Sequence, residues 1–135
     1  MFVKTEEGSY SYVSPNNAAS ICGLYVISEP DHVVEFEFEE FDITCTKGGL
    51  LSVIDGWELN GQFFPGTEDH IVPRHERYQE FCGSVNPSKS FRMSQNVGLL
   101  EFRIPTFGEG FTVKVRFISN PKRKNLEIHL SLSQM

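Results

Sequence analysis

His32-Val33-Val34-Glu35-Phe36-Glu37-Phe38-Glu39-Glu40-Phe41 decides the fold class. Successive side chains of an extended chain point to opposite faces, so Val34, Phe36 and Phe38 share one side and Glu35, Glu37 and Glu39 the other. One face sheds water and the other is wet, which is the pattern of a half-buried strand. After Glu40 the apolar set passes to Phe41 and Ile43, and a bulge or corner is expected at that change of phase.

The same period recurs further along. Phe111, Val113, Val115 and Phe117 alternate with Thr112, Lys114 and Arg116. Were the two strands neighbours, Lys114 and Arg116 would complement the glutamates of the first. Weaker strands are expected over Tyr10–Val13, Cys22–Ile27, Leu50–Ile54, Tyr78–Cys82, Phe91–Met93, Val97–Ile104 and Leu126–Leu132. Asp55-Gly56 and Asn60-Gly61 read as tight turns around Trp57, because glycine supplies the positive φ of a sharp reversal. A polar loop with Pro65, Gly66, Glu68, Asp69, His70 and Pro73 follows. About nine short strands punctuated by turns predict an all-β chain of two packed antiparallel sheets.

Composition sets the bounds. At 135 residues, 39% hydrophobic and with 12 Phe, the chain is expected to form one domain, 1–135, with a core large enough to offset its ordering entropy. Its 18 acids against 12 bases give a formal charge of −6, which repels phosphate backbones and anionic lipid surfaces, so nucleic acid is a poor partner. Lys122 to Lys124 reads as a solvated turn. No stretch has the roughly 20 apolar residues of a membrane-spanning helix, so membrane insertion is not expected. The opening Met-Phe-Val-Lys-Thr-Glu-Glu is too polar for a signal peptide. The three cysteines are an odd number, which points to a missing partner or a free thiol, and their spacings match neither a compact zinc pattern nor a C-x-x-C motif.

No constellation argues for catalysis. His32, His70, His75 and His129 lie beside no nucleophile signature, and no cofactor is implied. His70 and His75 with Asp69 and Glu76 offer metal donors on a loop, but no third ligand is specified. Glu35, Glu37, Glu39 and Glu40 read first as a solvated face. Gly108-Glu109-Gly110 lacks the spacing and lysine of a phosphate loop and fits a hairpin turn. Asn16, Asn86, Asn96 and Asn120 form no usable glycosylation sequon.

Cys45, Leu51-Ser52-Val53-Ile54-Asp55-Gly56, Phe81-Cys82-Gly83, Met93-Ser94-Gln95-Asn96 and Gly110-Phe111 together resemble a CUB domain in order and spacing. A closer resemblance, to the CUB-like N-terminal half of the corticotropin-releasing factor binding protein family, rests on six stretches. They are Val26-Ile27-Ser28-Glu29-Pro30, Asp55-Gly56-Trp57, Phe64-Pro65 with Asp69-His70, Glu76-Arg77-Tyr78, Phe81-Cys82 and Ser94-Gln95-Asn96-Val97, over roughly residues 20 to 118.

That resemblance implies a CUB-like β-sandwich of jelly-roll type. It also implies an extracellular, secreted, non-enzymatic protein that sequesters corticotropin-releasing-factor-like (diuretic-hormone-like) neuropeptides. The family pairs the cysteines matching Cys45 and Cys82, and closing that separation is worth roughly 4 kcal/mol in a chain-entropy model. Cys22 matches a cysteine whose partner lies about where Met1 stands, which implies a fragment beginning beyond that partner and lacking a signal peptide and a following domain.

Of the calcium positions found in some CUB domains, Glu39 or Glu40 could fill the first. Gly49 occupies the second and Ile104 to Gly110 lacks the third aspartate, so no metal site is expected. Trp57, Tyr25, Phe64 and Tyr78 are the candidate apolar anchors for a peptide hormone, with Glu35, Glu37 and Glu39 meeting its cationic groups. The alternative is a CUB module that mediates contacts between extracellular proteins through its loops.

Overall fold

The computed structural model describes residues 1–59, 62–66, 76–87 and 89–120. The strand expected over Leu126–Leu132, the basic run at Lys122 to Lys124, His129, and the loop histidines His70 and His75 with Asp69 lie outside these residues.

Eleven strands are described: β1 (Phe2–Lys4), β2 (Gly8–Val13), β3 (Ile21–Ile27), β4 (His32–Asp42), β5 (Leu50–Ile54), β6 (Trp57–Leu59), β7 (Gln62–Phe64), β8 (Tyr78–Phe81), β9 (Phe91–Arg92), β10 (Val97–Arg103) and β11 (Gly110–Ser119). They form a five-stranded sheet in the order β1-β3-β10-β5-β8, a four-stranded sheet in the order β2-β11-β4-β9, and the separate hairpin β6-β7. Among the described residues no helix is long and apolar enough to cross a membrane.

The deciding stretch is the long strand β4. It pairs antiparallel with β11, setting Lys114 opposite Glu37 and Arg116 opposite Glu35, as the complementary charges predict. The register shifts between Thr112, opposite Glu40, and Val113, opposite Phe38. Glu39 is the extra residue, and this bulge returns Phe41 to the inner face.

One expectation needs correcting. The sheets are not wholly antiparallel, because β1 runs parallel to β3, with Phe2 opposite Leu24 and Val3 opposite Tyr25. β1 has only three residues, and neither their alternation nor any turn signal marks them as a strand. Asp55-Gly56 bends the chain into β6, as expected; Asn60-Gly61 lies outside the described residues, and the segments on either side of it, for which no strand was expected, pair as β6 and β7.

The two large sheets enclose the main core. Leu24, Val26, Leu51, Val53, Leu100 and Phe102 from one sheet share a buried cluster with Val34, Phe36, Phe38, Phe91, Phe111, Val113 and Val115 from the other. Phe102 meets Phe111 edge-on with centroids 4.9 Å apart, and Phe81 meets Phe91 at 5.1 Å, so aromatic contacts bridge the layers. Phe36 is fully buried, and truncating such a side chain costs about 3–5 kcal/mol. Gly98 sets the spacing here: a Cβ at that position would lie 2.8 Å from the Phe36 ring and 2.9 Å from Met93.

The disulfide is Cys45–Cys82, with Cα atoms 5.3 Å apart. It ties the short 3-10 turn at Cys45–Lys47, which follows β4, to the residue just after β8. The backbone bridge between Ile43 and Gly83 lies beside it, so the ends of the two sheets are held together both covalently and by hydrogen bonds.

Candidate functional site

On the outer face of the five-stranded sheet, Tyr25, Ile54 and Leu99 form a second buried cluster, with Trp57 and Tyr78 packed against it. The β6-β7 hairpin lies over this face. Trp57 anchors it: the indole N–H donates to the carbonyls of Gly98 at 3.0 Å and Val26 at 3.2 Å, and its ring meets Tyr25 edge-on at 5.3 Å. Tyr25 donates its hydroxyl to the Glu58 carbonyl at 3.1 Å. Gly23 leaves room for that tyrosine, because a Cβ there would fall 2.7 Å from its ring.

Beside the hairpin opens a groove of about 550 Å³ lined by Met1, Val3, Tyr25, Trp57, Leu59, Gln62, Phe63 and Phe64. Met1, Val3, Leu59 and Phe64 are each more than half exposed. Large apolar side chains gathered this way around a concavity are the ordinary mark of a recognition surface. Three of the four aromatics singled out from sequence, Tyr25, Trp57 and Phe64, therefore line one groove. Tyr78 does not line it; its ring packs edge-on against Phe63 at 5.8 Å and supports the wall. Sequence reasoning missed Leu59, although it repeats the period-two position of Trp57, and missed Met1 and Val3 because β1 was not read as a strand.

The stretches that carry the resemblance meet behind this hairpin. Asp55 accepts the Ser94 backbone N–H at 2.8 Å and its hydroxyl at 2.6 Å. Asn96 donates its side-chain amide to the Ser28 carbonyl at 3.0 Å, and Ser28 returns a backbone N–H to the Asn96 carbonyl at 2.8 Å. Arg77 is buried and donates to the carbonyls of Pro65 at 2.7 Å and Gly66 at 3.3 Å, fixing the chain as it leaves β7. The Phe64–Pro65 peptide bond is cis. Gly56 has φ 117°, and a side chain there would meet the Phe64 carbonyl at 2.6 Å. Ser28, Asp55, Arg77 and Asn96 position the groove; they do not line it.

The glutamate ladder lies on the other sheet and is engaged by arginines. Glu35 is only 7% exposed and receives Arg92 at 3.1 Å and Arg116 at 3.2 Å. The wet-face reading thus fails for Glu35, whose carboxylate is neutralised within the fold. Glu37 accepts Arg116 at 2.8 Å, and this hydrogen bond and charge hold its carboxyl below the usual range. Glu39, at the bulge, is exposed and accepts the Ser9 hydroxyl at 2.5 Å.

The second calcium position of some CUB domains falls at Gly49. Any Cβ at Gly49 would fall 2.6 Å from Ile43 and 2.7 Å from the Thr44 carbonyl, so the backbone has no room for an aspartate. In the loop before β11, Glu109 accepts the Thr44 backbone N–H at 2.9 Å and the Thr44 hydroxyl. Desolvation pushes the Glu109 carboxyl up, but the two Thr44 bonds and Lys47 outweigh it and lower its pKa. Glu29, Asp31 and His32 bring donor atoms within 4.8 Å of one another, with Asp31 on His32 Nδ1 at 2.6 Å. Cys22 is a free thiol that lines a cleft with Met1, Gly23, Tyr25, Glu58, Leu59 and Glu101.

A family model described as the corticotropin-releasing factor binding protein N-terminal domain matches residues 2–119. The corticotropin-releasing factor-binding proteins of Ovis aries and Homo sapiens are each 40% identical over 95 residues, 70% of this chain and 29% and 30% of theirs. That of Xenopus laevis is 37% identical over 99 residues, 73% of this chain and 31% of its own. The chain thus spans about three-tenths of the length of these relatives. The full extracellular region of zebrafish Gpr126/Adgrg6 superposes with a TM-score of 0.59 at 15% identity, covering 87% of this chain and 14% of that one, a likeness of fold alone. The chain is extracellular and secreted, and its disulfide suits an oxidising compartment. From the match over residues 2–119, it belongs to the corticotropin-releasing factor binding protein family, as the N-terminal domain.

Proposed function

We propose that this domain captures a peptide of the corticotropin-releasing factor class, including diuretic-hormone-like peptides, and withholds it from other partners without performing bond chemistry. The observation that carries this reading is the open apolar groove of Tyr25, Trp57, Leu59 and Phe64 in a domain whose relatives are named for that ligand. Burying an amphipathic peptide's apolar residues in the groove removes exposed hydrocarbon from water, and two or three well-packed anchors supply most of the affinity. Trp57 and Tyr25 are already ordered by hydrogen bonds, so little side-chain entropy is lost when they become walls of an interface. The formal charge of −6 attracts a cationic peptide at long range and steers its approach. The inward winding is proposed to be that of a CUB jelly roll, and a second domain of the parent chain is proposed to share the ligand.

The test is titration of a labelled corticotropin-releasing-factor-like peptide against the chain and against a Leu59→Ser/Phe64→Ser variant. Both residues are exposed, so the variant is expected to fold with stability within about 0.5 kcal/mol of the parent, while affinity falls by about 2 kcal/mol, roughly thirtyfold. Equal affinity for both proteins would remove the groove from the site. A full-length parent that fails to bind would remove the function.

A further inference from the structure

We infer that the outer edge of β2 is a second interaction surface, which takes an extended segment of a partner polypeptide as an added strand, with apolar side chains at alternate positions and a carboxylate for Lys4. β2 ends the four-stranded sheet, and its six residues make it longer than the other end strands, β1, β8 and β9. The phase of its hydrogen bonds fixes what it offers. Ser14 donates its backbone N–H to the Glu109 carbonyl opposite it at 2.8 Å, and the register runs on from there without a shift. Antiparallel pairs alternate between bonded and unbonded, so Tyr12, Tyr10 and Gly8 are the residues that exchange bonds with β11. Phe117 at the far end fits the same phase, because its N–H points to the β2 side, where Glu7 Oε1 accepts it at 2.6 Å. The backbone N–H and carbonyl groups of Ser9, Ser11 and Val13 therefore face away from the sheet, and among the described residues no strand pairs with them.

Along that edge opens a cleft of about 300 Å³ between the two sheets, with Leu24, Phe102 and Phe111 in its lining and Phe2, nearly half exposed, on the β1 side. Ser9 and Ser11 also line it, although their hydroxyls are engaged on the outer face, Ser9 with Glu39 at 2.5 Å and Ser11 with Thr112 at 2.8 Å. What they present to the cleft is the strand edge itself. An added strand would complete the backbone row and set every second side chain over hydrocarbon. Lys4 supplies the charge that selects the occupant. It is half-buried in the same cleft, its ammonium 5.2 Å from the centre of the Tyr10 ring, and among the described residues it forms no ion pair. Glu6 is the neighbouring acid: its backbone carbonyl accepts the Tyr10 hydroxyl at 2.6 Å, and its charge acts on that hydroxyl. A lysine beside an open edge deters purely apolar strands, whereas a strand with a well-placed carboxylate gains a charge contact that partial burial strengthens. The surface is separate from the peptide groove, since β1 stands between them with Val3 lining the groove and Phe2 the cleft.

The probe is a short labelled peptide in which threonine alternates with leucine and a central leucine is replaced by glutamate, titrated against the 135-residue chain while amide exchange is followed by NMR. The amides of Ser9, Ser11 and Val13 are expected to gain protection at saturation, and those of Tyr10 and Tyr12, already bonded to β11, to change little. Glutamine in place of the glutamate is expected to weaken binding about fivefold in the parent chain. That preference is expected to vanish in a Lys4→Gln variant and to persist in Lys4→Arg. N-methylation of one alternating set of peptide amides, and not of the other, is expected to abolish binding. No binding of the glutamate peptide, binding that leaves Ser9 and Ser11 unprotected, or a glutamate preference that survives Lys4→Gln would overturn the proposal.

Discussion

The two outer faces of this sandwich start from similar sequence material and end as opposite surfaces. On the four-stranded sheet, the glutamates of β4 meet the arginines of β9 and β11, and Glu35 is folded away beneath Arg92 and Arg116. On the five-stranded sheet the outward positions include Tyr25, Ile54 and Leu99, and a hairpin leans over them without closing. The first face is satisfied from within the chain. The second leaves apolar side chains in water beside a pair of interacting acids. Exposed hydrocarbon that the fold itself does not cover is the part of a surface most available to a partner, whereas neutralised charge is spent on the fold.

The contrast depends on the body that both faces share, and loosening that body is the strongest way to break it. A Cys45→Ser/Cys82→Ser variant removes the tie between residues 37 apart. It is expected to lose about 4 kcal/mol, read as a lower urea midpoint, because the unfolded chain regains the entropy of an open loop. An unchanged midpoint would mean that the Ile43–Gly83 bridge and the core hold the sheet ends unaided.

A sharper probe separates the faces themselves. Glu35→Ala leaves two guanidinium groups without their shared, mostly buried acceptor, and a loss of about 1–2 kcal/mol is expected with peptide affinity unchanged. Glu39 is exposed, and among the described residues its carboxylate accepts the Ser9 hydroxyl while its backbone carbonyl accepts the Asn86 side-chain amide, so its replacement by alanine should be nearly silent in stability. A drop in peptide affinity with either variant would move part of the site onto the charged sheet.

The smallest effect concerns Glu101. Its folded-state pKa is raised, so between the unfolded value and that raised value the native state holds more protons than the unfolded chain. Stability therefore falls as pH rises through that window, the reverse of a salt-bridged carboxylate. Glu101→Gln should flatten this slope and leave the chain at neutral pH no less stable than before, as thermal melts across the carboxylate range would show. A steeper slope in the variant would contradict the assignment.

Much of this organisation can be read from the residues alone, for identifiable reasons. β4 and β11 are long and alternate over most of their length, so both strands and the phase change in β4 are legible from period two, while their complementary charges offer the pairing only as a condition that the structure meets. Trp57, Tyr25 and Phe64 stand out because aromatic rings supply much buried area per ordered torsion. The three-residue strands β1, β6 and β7 offer too short a window for any period to register, and with them go Met1, Val3 and Leu59 of the groove. Glu35 cannot be distinguished from Glu37 in sequence, because its burial depends on two arginines 57 and 81 residues away. The meeting of Ser28, Asp55, Arg77 and Asn96 is likewise a product of tertiary folding: scattered stretches become one support for the hairpin.

Trp57 is the single tryptophan of the chain and stands in the groove wall, so its emission reports directly on what occupies that space. Titration with a tryptophan-free corticotropin-releasing-factor-like peptide is predicted to give a saturable shift in Trp57 fluorescence that tracks binding measured through a label on the peptide. Saturable binding of the labelled peptide with no change in Trp57 emission would place the ligand elsewhere and contradict the account.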